Sequence, residues 1–168
     1  MKINNLDKLI FAVNYCDMDK FHMFMRDFKT KKDVFNKYVD ILCEKIILNK
    51  DFLDGFDFFV FVPSNNLQRI NFSMKIARIL SQKLGKFLNE KLLQKIKVIK
   101  ELKTLPEKER YKEIKNSFTA SLKGGERICI VDDVTASGAT LSEISKILKY
   151  AGASCIYAAV IVSYDMQK

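Results

Sequence analysis

The stretch RICIVDDVTASGAT, Arg127–Thr140, decides the fold of this 168-residue chain. It begins with a short apolar run, Arg127–Val131, which predicts a buried strand. Apolar residues then recur at helical spacing through Ala139–Tyr150, and Gly152 is placed to end that helix. A second apolar run, Ser154–Val162, predicts another strand. A strand, a helix and a strand in this order predict a βαβ unit, which implies a parallel sheet and a right-handed crossover.

The polar loop Asp132–Gly138 lies where such a unit would bind a ligand. Open α/β sheets bind ligands at the carboxyl ends of their strands. The N-terminus of the following helix offers free N–H groups and a positive dipole end to a phosphate. Thr135, Ser137 and Thr140 add hydroxyl donors. A capped turn would explain one Asp and one Thr, whereas the full string favours a phosphate-binding loop.

Two adjacent carboxylates, Asp132 and Asp133, open this loop. Carboxylates would repel a phosphate on its own, so the ligand is expected to offer sugar hydroxyls or Mg²⁺ as well. A ribose 5-phosphate meets these conditions, because its hydroxyls go to the acids and its phosphate goes to the loop. A receiver-like domain also has Asp-Asp after a strand, but the late strand and the phosphate loop that follows exclude it here.

Val131–Thr140 resembles the phosphoribosyl-pyrophosphate (PRPP) motif of type I phosphoribosyltransferases. Four apolar residues precede Asp132-Asp133, and the loop continues T-A-S-G-A-T. Neither G-x-G-x-x-G nor G-x-x-x-x-G-K occurs, which excludes the Rossmann dinucleotide and P-loop motifs. The resemblance implies that Asp132 and Asp133 act in catalysis with Arg110 and hold the ribose hydroxyls, directly or near Mg²⁺. It also implies that the 5-phosphate is bound by Thr135, Ala136, Ser137, Gly138, Ala139 and Thr140.

Further stretches resemble the ComF family, phosphoribosyltransferase-like proteins associated with competence and DNA uptake in bacteria. They are Tyr15 with Phe28-Lys29, Phe56–Pro63 with the loop Ser64–Arg69, and the series Arg110, Asn116 and Phe118. Members of that family commonly have Arg-Gly-Phe-Asn-Gln after the pyrophosphate loop, and here residues 69–73 read R-I-N-F-S. The resemblance implies that the pyrophosphate is bound by Ser64, Asn65, Arg69 and Lys103.

The same resemblance implies the fold class and the reaction. The fold is expected to be α/β, with an open, mainly parallel, Rossmann-like sheet, helices on both faces and a small N-terminal hood. One phosphoribosyltransferase-like domain is expected over 1–168, with 1–50 as its hood part and 51–168 as its core. The reaction is a pentosyl transfer in which pyrophosphate leaves C1 of PRPP, with Mg²⁺ as cofactor. The alternative is a non-catalytic module of the competence machinery that senses PRPP or a nucleotide, or binds DNA or a partner.

The net charge of +9 is consistent with an anionic partner. Residues 83–115 carry 11 Lys and Arg but only 5 Asp and Glu. We interpret this basic stretch either as a lid over the pyrophosphate or as a surface for a polyanion such as DNA. A competence protein and a second copy of the chain are the other candidate macromolecular partners, beside the phosphorylated small molecule.

Composition narrows the class of protein. A hydrophobic content of 48% argues against disorder. No apolar run approaches the roughly 18–20 residues of a membrane span, and the first residues lack the pattern of a signal peptide, so a cytoplasmic location is expected. The four cysteines form no C-x-x-C pair and have only His22 as an added ligand, so no zinc is expected.

Periodicity predicts the remaining elements. Strands are predicted at Leu9–Tyr15, Phe56–Val62, Ile96–Ile99 and Phe118–Leu122. Helices are predicted at Asp19–Phe28, at Lys32–Leu48 and from Phe72 to Phe87. Pro106–Lys115 is expected to be a loop or an exposed helix.

Overall fold

The computed structural model describes residues 3–64, 70–99 and 105–164. Within them the strands are β1 (Lys8–Tyr15), β2 (Phe58–Phe61), β3 (Phe87–Leu88), β4 (Leu93–Lys95), β5 (Phe118–Ala120), β6 (Arg127–Thr135) and β7 (Cys155–Tyr164). The helices are α1 (Met18–Thr30), α2 (Lys32–Leu48), α3 (Lys50–Leu53), α4 (Phe72–Leu84), α5 (Glu107–Ile114) and α6 (Ala139–Tyr150).

Five of these strands form one sheet in the order β1-β7-β6-β2-β3, and every neighbouring pair is parallel. Strands β6 and β7 pair from Arg127↔Cys155 to Thr135↔Ser163. Helix α6 connects them, so the predicted βαβ unit is confirmed. Strands β4 and β5 form a separate antiparallel pair.

Helices cover both faces of the sheet, because the central strands are apolar on both sides. On β6, Cys129 and Val131 face one core, and Ile128 and Ile130 face the other; all four are fully buried. Alternation along a strand produces this division. Helices α1, α2 and α4 pack against the first core, whereas α6 and the β4–β5 pair pack against the second. The expected α/β class is confirmed.

Local signals place the ends of the helices that frame the site. The Asn71 side chain accepts a hydrogen bond from the Met74 N–H at 3.1 Å and begins α4. At the end of α6, Ala153 N–H bonds to the Leu148 carbonyl and Gly152 N–H bonds to the Lys149 carbonyl. Together with the φ of +107° at Gly152, these bonds form a Schellman motif, and the predicted end of the helix at Gly152 is confirmed.

In the part of the chain that the structure describes, one predicted strand is absent, and one predicted helix ends earlier than expected. The segment Ile96–Ile99 is not a strand, because β4 ends at Lys95 and the side chains of Ile96 and Val98 are exposed. Phe87 does not continue α4, because Gly85 adopts φ of +64° and turns the chain into β3. Short apolar runs do not distinguish helix from strand by period alone, and here the chain reversal decides.

Strand β6 is longer than the prediction. Asp132–Thr135, expected to open the loop, continue the strand, and Val134 and Thr135 still pair with β7. Polar side chains at the end of a strand hide its true boundary, because backbone pairing continues whatever the side chains are. The connection to α6 is therefore only Ala136–Gly138.

The first 50 residues are joined closely to the sheet. Strand β1 pairs with β7 along Lys8–Tyr15, and Phe28 and Leu42 are fully buried in the first core. The division into a hood part, 1–50, and a core, 51–168, stays a prediction. Among the described residues, no helix combines the length and apolar character needed to cross a membrane.

Candidate functional site

The candidate site lies at the carboxyl end of β6, between the N-termini of α4 and α6. The strand brings Asp132 and Asp133 to this edge, and the loop Ala136–Gly138 leads directly into α6. Ser73 stands in the first turn of α4, and Lys29 stands in the last turn of α1. The structure therefore brings the acids and the predicted phosphate loop, Thr135–Thr140, together on one edge of the sheet.

Asp132 is a buried carboxylate with two hydrogen-bond donors. Its Oδ1 atom accepts the Ser73 hydroxyl at 2.9 Å and the Asp133 N–H at 2.9 Å. The side chain is 7% exposed, and burial raises the pKa of this carboxyl well above its usual range. The neighbouring Asp133 charge raises the pKa further, whereas the Ser73 hydrogen bond lowers it. Ionised Asp132 is thus held at a cost in stability.

Asp133 is more open and is paired with a lysine. Lys29 Nζ lies 2.8 Å from Asp133 Oδ2, and the same ammonium lies 5.5 Å from the centre of the Phe72 ring. The lysine side chain is 41% exposed and the aspartate side chain 15%. Because the lysine side chain is exposed, water can solvate its ammonium when an incoming hydroxyl or cation displaces it from Asp133.

The predicted phosphate loop, Thr135–Thr140, leads into the N-terminus of α6, where the first N–H groups of a helix have no partner within the helix. Gly138, at φ of +73°, is the N-cap of α6 and has no side chain that could cap the first turn. The Ser137 hydroxyl accepts a long hydrogen bond, 3.4 Å, from the Ala139 N–H. Ala136, Ser137 and Thr140 are half-buried, whereas Thr135, Gly138 and Ala139 are buried. A helix start of this kind suits an anion.

A tyrosine from a neighbouring helix contacts this loop. The Tyr111 hydroxyl of α5 donates a hydrogen bond to the Ser137 carbonyl at 2.6 Å. Arg110, the next residue, uses its Nε to bond the Leu105 carbonyl at 2.8 Å, so this contact holds it at the start of α5. Arg110 thus lies beside the phosphate loop through its helix rather than in contact with the two acids.

Of the predicted pyrophosphate loop, Ser64–Arg69, the structure describes Ser64 and the residues on either side of the loop, but not residues 65–69. Ser64 follows β2 after Val62 and Pro63, and the Asn71 side chain donates to the Val62 carbonyl at 3.2 Å. Asn71 therefore ties the two ends of this loop together while capping α4. Asn65, Arg69 and Lys103, predicted to bind the pyrophosphate, lie outside the described residues.

Sequence reasoning missed four residues of the site. Lys29 enters the sequence analysis only through the resemblance of Phe28-Lys29 to the ComF family, and the sequence does not predict the contacts of Ser73, Asn71 and Tyr111. Asn71 carried a signal, because asparagine before an apolar helical run is typical of an N-cap. The others had none, because their contacts join segments that lie 26 to 104 positions apart in the chain.

The residues at the site fit a magnesium ion that is bound mainly by its substrate. Among the described side chains, no cluster of three or more His, Cys, Asp or Glu could hold a metal by itself. Mg²⁺ is usually bound through one or two carboxylates together with substrate phosphates and water. Asp132 and Asp133 supply that number of carboxylates, so they suit Mg²⁺ carried by a diphosphate.

Replacing Asp132 with Asn is expected to stabilise the protein at neutral pH. Because the carboxyl pKa is higher in the folded chain, its contribution to stability is complete below the ordinary value of 3.8 and is lost as pH rises through the folded pKa. Asn keeps an oxygen for the Ser73 and Asp133 donors but carries no charge. We expect the midpoint of thermal unfolding at pH 7 to rise by about 2–4 °C, the shift produced by about 1 kcal/mol.

The measurement is the midpoint of thermal unfolding of Asp132→Asn minus that of the unaltered protein, taken at several pH values from 4.5 to 8. The difference should grow with pH. Asp33→Asn, at an exposed position, is the control and should show no such trend. A variant that is less stable than the unaltered protein at pH 7 would contradict the buried-charge account.

A family of known proteins matches the part of the chain that holds the two acids and the loop. The model of the phosphoribosyl transferase domain family matches residues 71–168, which is more than half of the chain. Competence protein F of Haemophilus influenzae is 33% identical over 84 residues, which cover 45% of this chain and 37% of that protein. The chain thus matches little more than a third of this curated relative. The resemblance to ComF-type phosphoribosyltransferase-like proteins is confirmed.

Solved structures resemble it more distantly. A purine phosphoribosyltransferase from Pyrococcus horikoshii is 21% identical, with 79% of this chain and 81% of that chain covered and a TM-score of 0.46. An adenine phosphoribosyltransferase from Leishmania tarentolae is 13% identical, with coverage of 82% and 74% and a TM-score of 0.49. The fold assignment rests on the strand order and on the family match.

Proposed function

The chain belongs to the phosphoribosyl transferase domain family, and on that premise we propose that it binds PRPP and transfers or releases the 5-phosphoribosyl group, with pyrophosphate as the leaving group. The observation that carries the proposal is the juxtaposition of two carboxylates with a phosphate loop at one strand end. Asp132 and Asp133 lie near the carboxyl end of β6, and Gly138 is the N-cap of α6, which follows it.

In the proposed complex, the 5-phosphate accepts hydrogen bonds from the N–H groups of Ser137–Thr140 and from the hydroxyl groups of the phosphate loop. The ribose hydroxyls donate to Asp132 and Asp133. For this to happen, Lys29 must leave Asp133 or share it with the ligand, and because its side chain is exposed, water can solvate the ammonium once it moves. The Ser73 hydroxyl keeps Asp132 oriented throughout.

The chemical step breaks the bond between C1 of the ribose and the pyrophosphate oxygen. The acceptor forms its bond to C1, its proton leaves to solvent or to Asp133, and pyrophosphate departs with the bonding electron pair. The transition state resembles an oxocarbenium ion, so positioning and charge stabilisation dominate catalysis. Mg²⁺ bound with PRPP would neutralise charge on the leaving pyrophosphate.

We propose that the basic stretch of residues 83–115 acts on the leaving group. Its helix α5 lies beside the phosphate loop, since Tyr111 bonds to Ser137. Lys103, Arg110 and the loop residues Ser64, Asn65 and Arg69 would hold the pyrophosphate, with Arg110 exchanging the Leu105 carbonyl for it. A closed lid of this kind also excludes water from the reacting centre.

A role in competence is proposed on the likeness to Competence protein F. In this role the chain would serve DNA uptake as an enzyme, or as a non-catalytic module that senses PRPP and binds DNA or a partner. The Lys29–Asp133 ion pair supports the second possibility, because the lysine competes with the ligand for one of the two acids.

The test is pyrophosphate release by the full chain from PRPP and Mg²⁺ with a panel of nucleobases and amines. Release that depends on an acceptor is expected. Asp33→Asn combined with Asp51→Asn removes two exposed carboxylates and should leave the rate unchanged. PRPP binding without release would support the sensor, and absence of PRPP binding would refute both.

A further inference from the structure

The Tyr111 side chain of α5 makes a hydrogen bond to the loop that leads into α6. Its hydroxyl reaches the carbonyl of Ser137, the residue before the N-cap of α6, at 2.6 Å. The loop around this carbonyl contains Gly138, and glycine adopts positive and negative φ with similar ease. Sterics at Gly138 therefore allow more than one orientation of the peptide between Ser137 and Gly138, and the Tyr111 hydrogen bond stabilises the observed one.

The hydrogen bond fixes the direction of a neighbouring N–H group. The described residues contain no cis peptide bond, and in a trans peptide the carbonyl and the next N–H point in opposite directions. With the Ser137 carbonyl directed at Tyr111, the Gly138 N–H points away from α5. A flipped peptide would instead place the carbonyl oxygen, a partial negative charge, on the side of the anion.

Helix α5 is well placed to act as this anchor. Ile114, one turn after Tyr111 on the same helix face, is 1% exposed and lies in the second core. The N–H of Asn116 donates to Glu143 Oε1 of α6 at 2.7 Å. Contacts at two levels, Tyr111 with Ser137 and Asn116 with Glu143, place α5 and α6 side by side and running in the same direction.

We propose that Tyr111 is a positioning residue of the phosphate loop: its hydroxyl holds the Ser137 carbonyl away from the bound phosphate and directs the Gly138 N–H toward it. The proposal rests on the proposed function, because it takes the loop as the site of the 5-phosphate. It also links the basic stretch, through α5, to the geometry of that site.

The variant Tyr111→Phe removes only the hydroxyl. Tyr111 is 39% exposed, so water can solvate the freed carbonyl and the fold should persist. Tyr150→Phe makes the same chemical change at a side chain that is 82% exposed, and it is the matched control. Loss of one hydrogen bond that orients a ligand donor is expected to weaken ribose 5-phosphate binding by about three- to tenfold.

One amide signal reports the proposed geometry directly. The chain contains a single Ser-Gly pair, Ser137-Gly138. Labelling serine with ¹³C at the carbonyl and glycine with ¹⁵N therefore gives one cross-peak for that peptide in the full chain. Addition of ribose 5-phosphate to the unaltered protein is expected to move the Gly138 amide proton downfield in a saturable way.

Comparison of the unaltered chain with Tyr111→Phe and Tyr150→Phe distinguishes the possible outcomes. The proposal expects Tyr150→Phe to match the unaltered chain, and Tyr111→Phe to show weaker binding and a smaller downfield shift. Equal affinity and equal shift in Tyr111→Phe would overturn the positioning role while leaving the proposed function in place. Absence of any ribose 5-phosphate response in the unaltered chain would overturn the proposed function and this proposal with it.

Discussion

Thermal unfolding of the unaltered chain is expected to move upward by about 5–10 °C in PRPP and Mg²⁺, and the combined change Asp132→Asn with Asp133→Asn is expected to abolish the shift. A ligand at about 100 times its dissociation constant stabilises the folded state by about 2.7 kcal/mol. In a chain of this size, each kcal/mol moves the midpoint by about 2–4 °C.

The loss is expected to be complete because both acids serve the same part of the ligand. Asn at 132 retains an acceptor for the Ser73 hydroxyl, but neither amide offers the charge that favours Mg²⁺ or strengthens hydrogen bonds from ribose hydroxyls. The loop alone would bind the phosphate too weakly to raise the midpoint detectably at millimolar ligand.

The matched control removes two acidic charges elsewhere. Asp33 and Asp51 are exposed, and each stands in the first turn of a helix. Changing both to Asn should leave the PRPP-dependent shift intact. A full shift in the Asp132→Asn, Asp133→Asn protein would contradict the assignment of the acids to the ligand.

Truncation of Phe28 is expected to cause the largest loss of stability. Its side chain is fully buried, and its ring lies 5.1 Å from that of Phe35 and 6.1 Å from that of Phe72. It thus joins α1, α2 and α4 in the first core. Phe28→Ala should lower the free energy of unfolding by about 3–5 kcal/mol, the usual cost of such a cavity.

The expected fall in the unfolding midpoint is about 6–20 °C. Phe87→Ala is the control, because that ring is 67% exposed on the edge strand β3, and its change should cost less than about 1 kcal/mol. If residues 1–50 belong to one cooperative domain with the rest, the variant unfolds in a single transition. An early, separate transition in the variant would contradict the single-domain account.

Apolar pattern and turn residues predict most of the sheet. The start of β6, the helix Ala139–Tyr150 and the strand that follows it are predicted closely, because their apolar residues recur with a clear period. The carboxyl end of β6 is not predicted, because its side chains are polar while its backbone still pairs with β7. Strand β5 lies within the predicted strand Phe118–Leu122, whereas its partner β4 is not predicted, because a three-residue strand carries too few residues to show a period. The failure at Ile96–Ile99 has the same cause.

The sequence also predicts only part of the candidate site. The acids and the phosphate loop could be predicted because they are consecutive in the chain, so spacing alone reveals them. Ser73, Lys29 and Tyr111 reach the site from other helices. Their side chains look ordinary in the sequence, and only the packing of α1, α4 and α5 around the strand end brings them there.

A crystal structure of the full chain with ribose 5-phosphate tests the central claim most directly. The account predicts phosphate oxygens on the N–H groups of Ser137–Thr140, ribose hydroxyls on Asp132 and Asp133, and Lys29 displaced from Asp133. A phosphate bound instead by lysines of residues 83–115, with the loop empty and the Lys29–Asp133 pair intact, would contradict it.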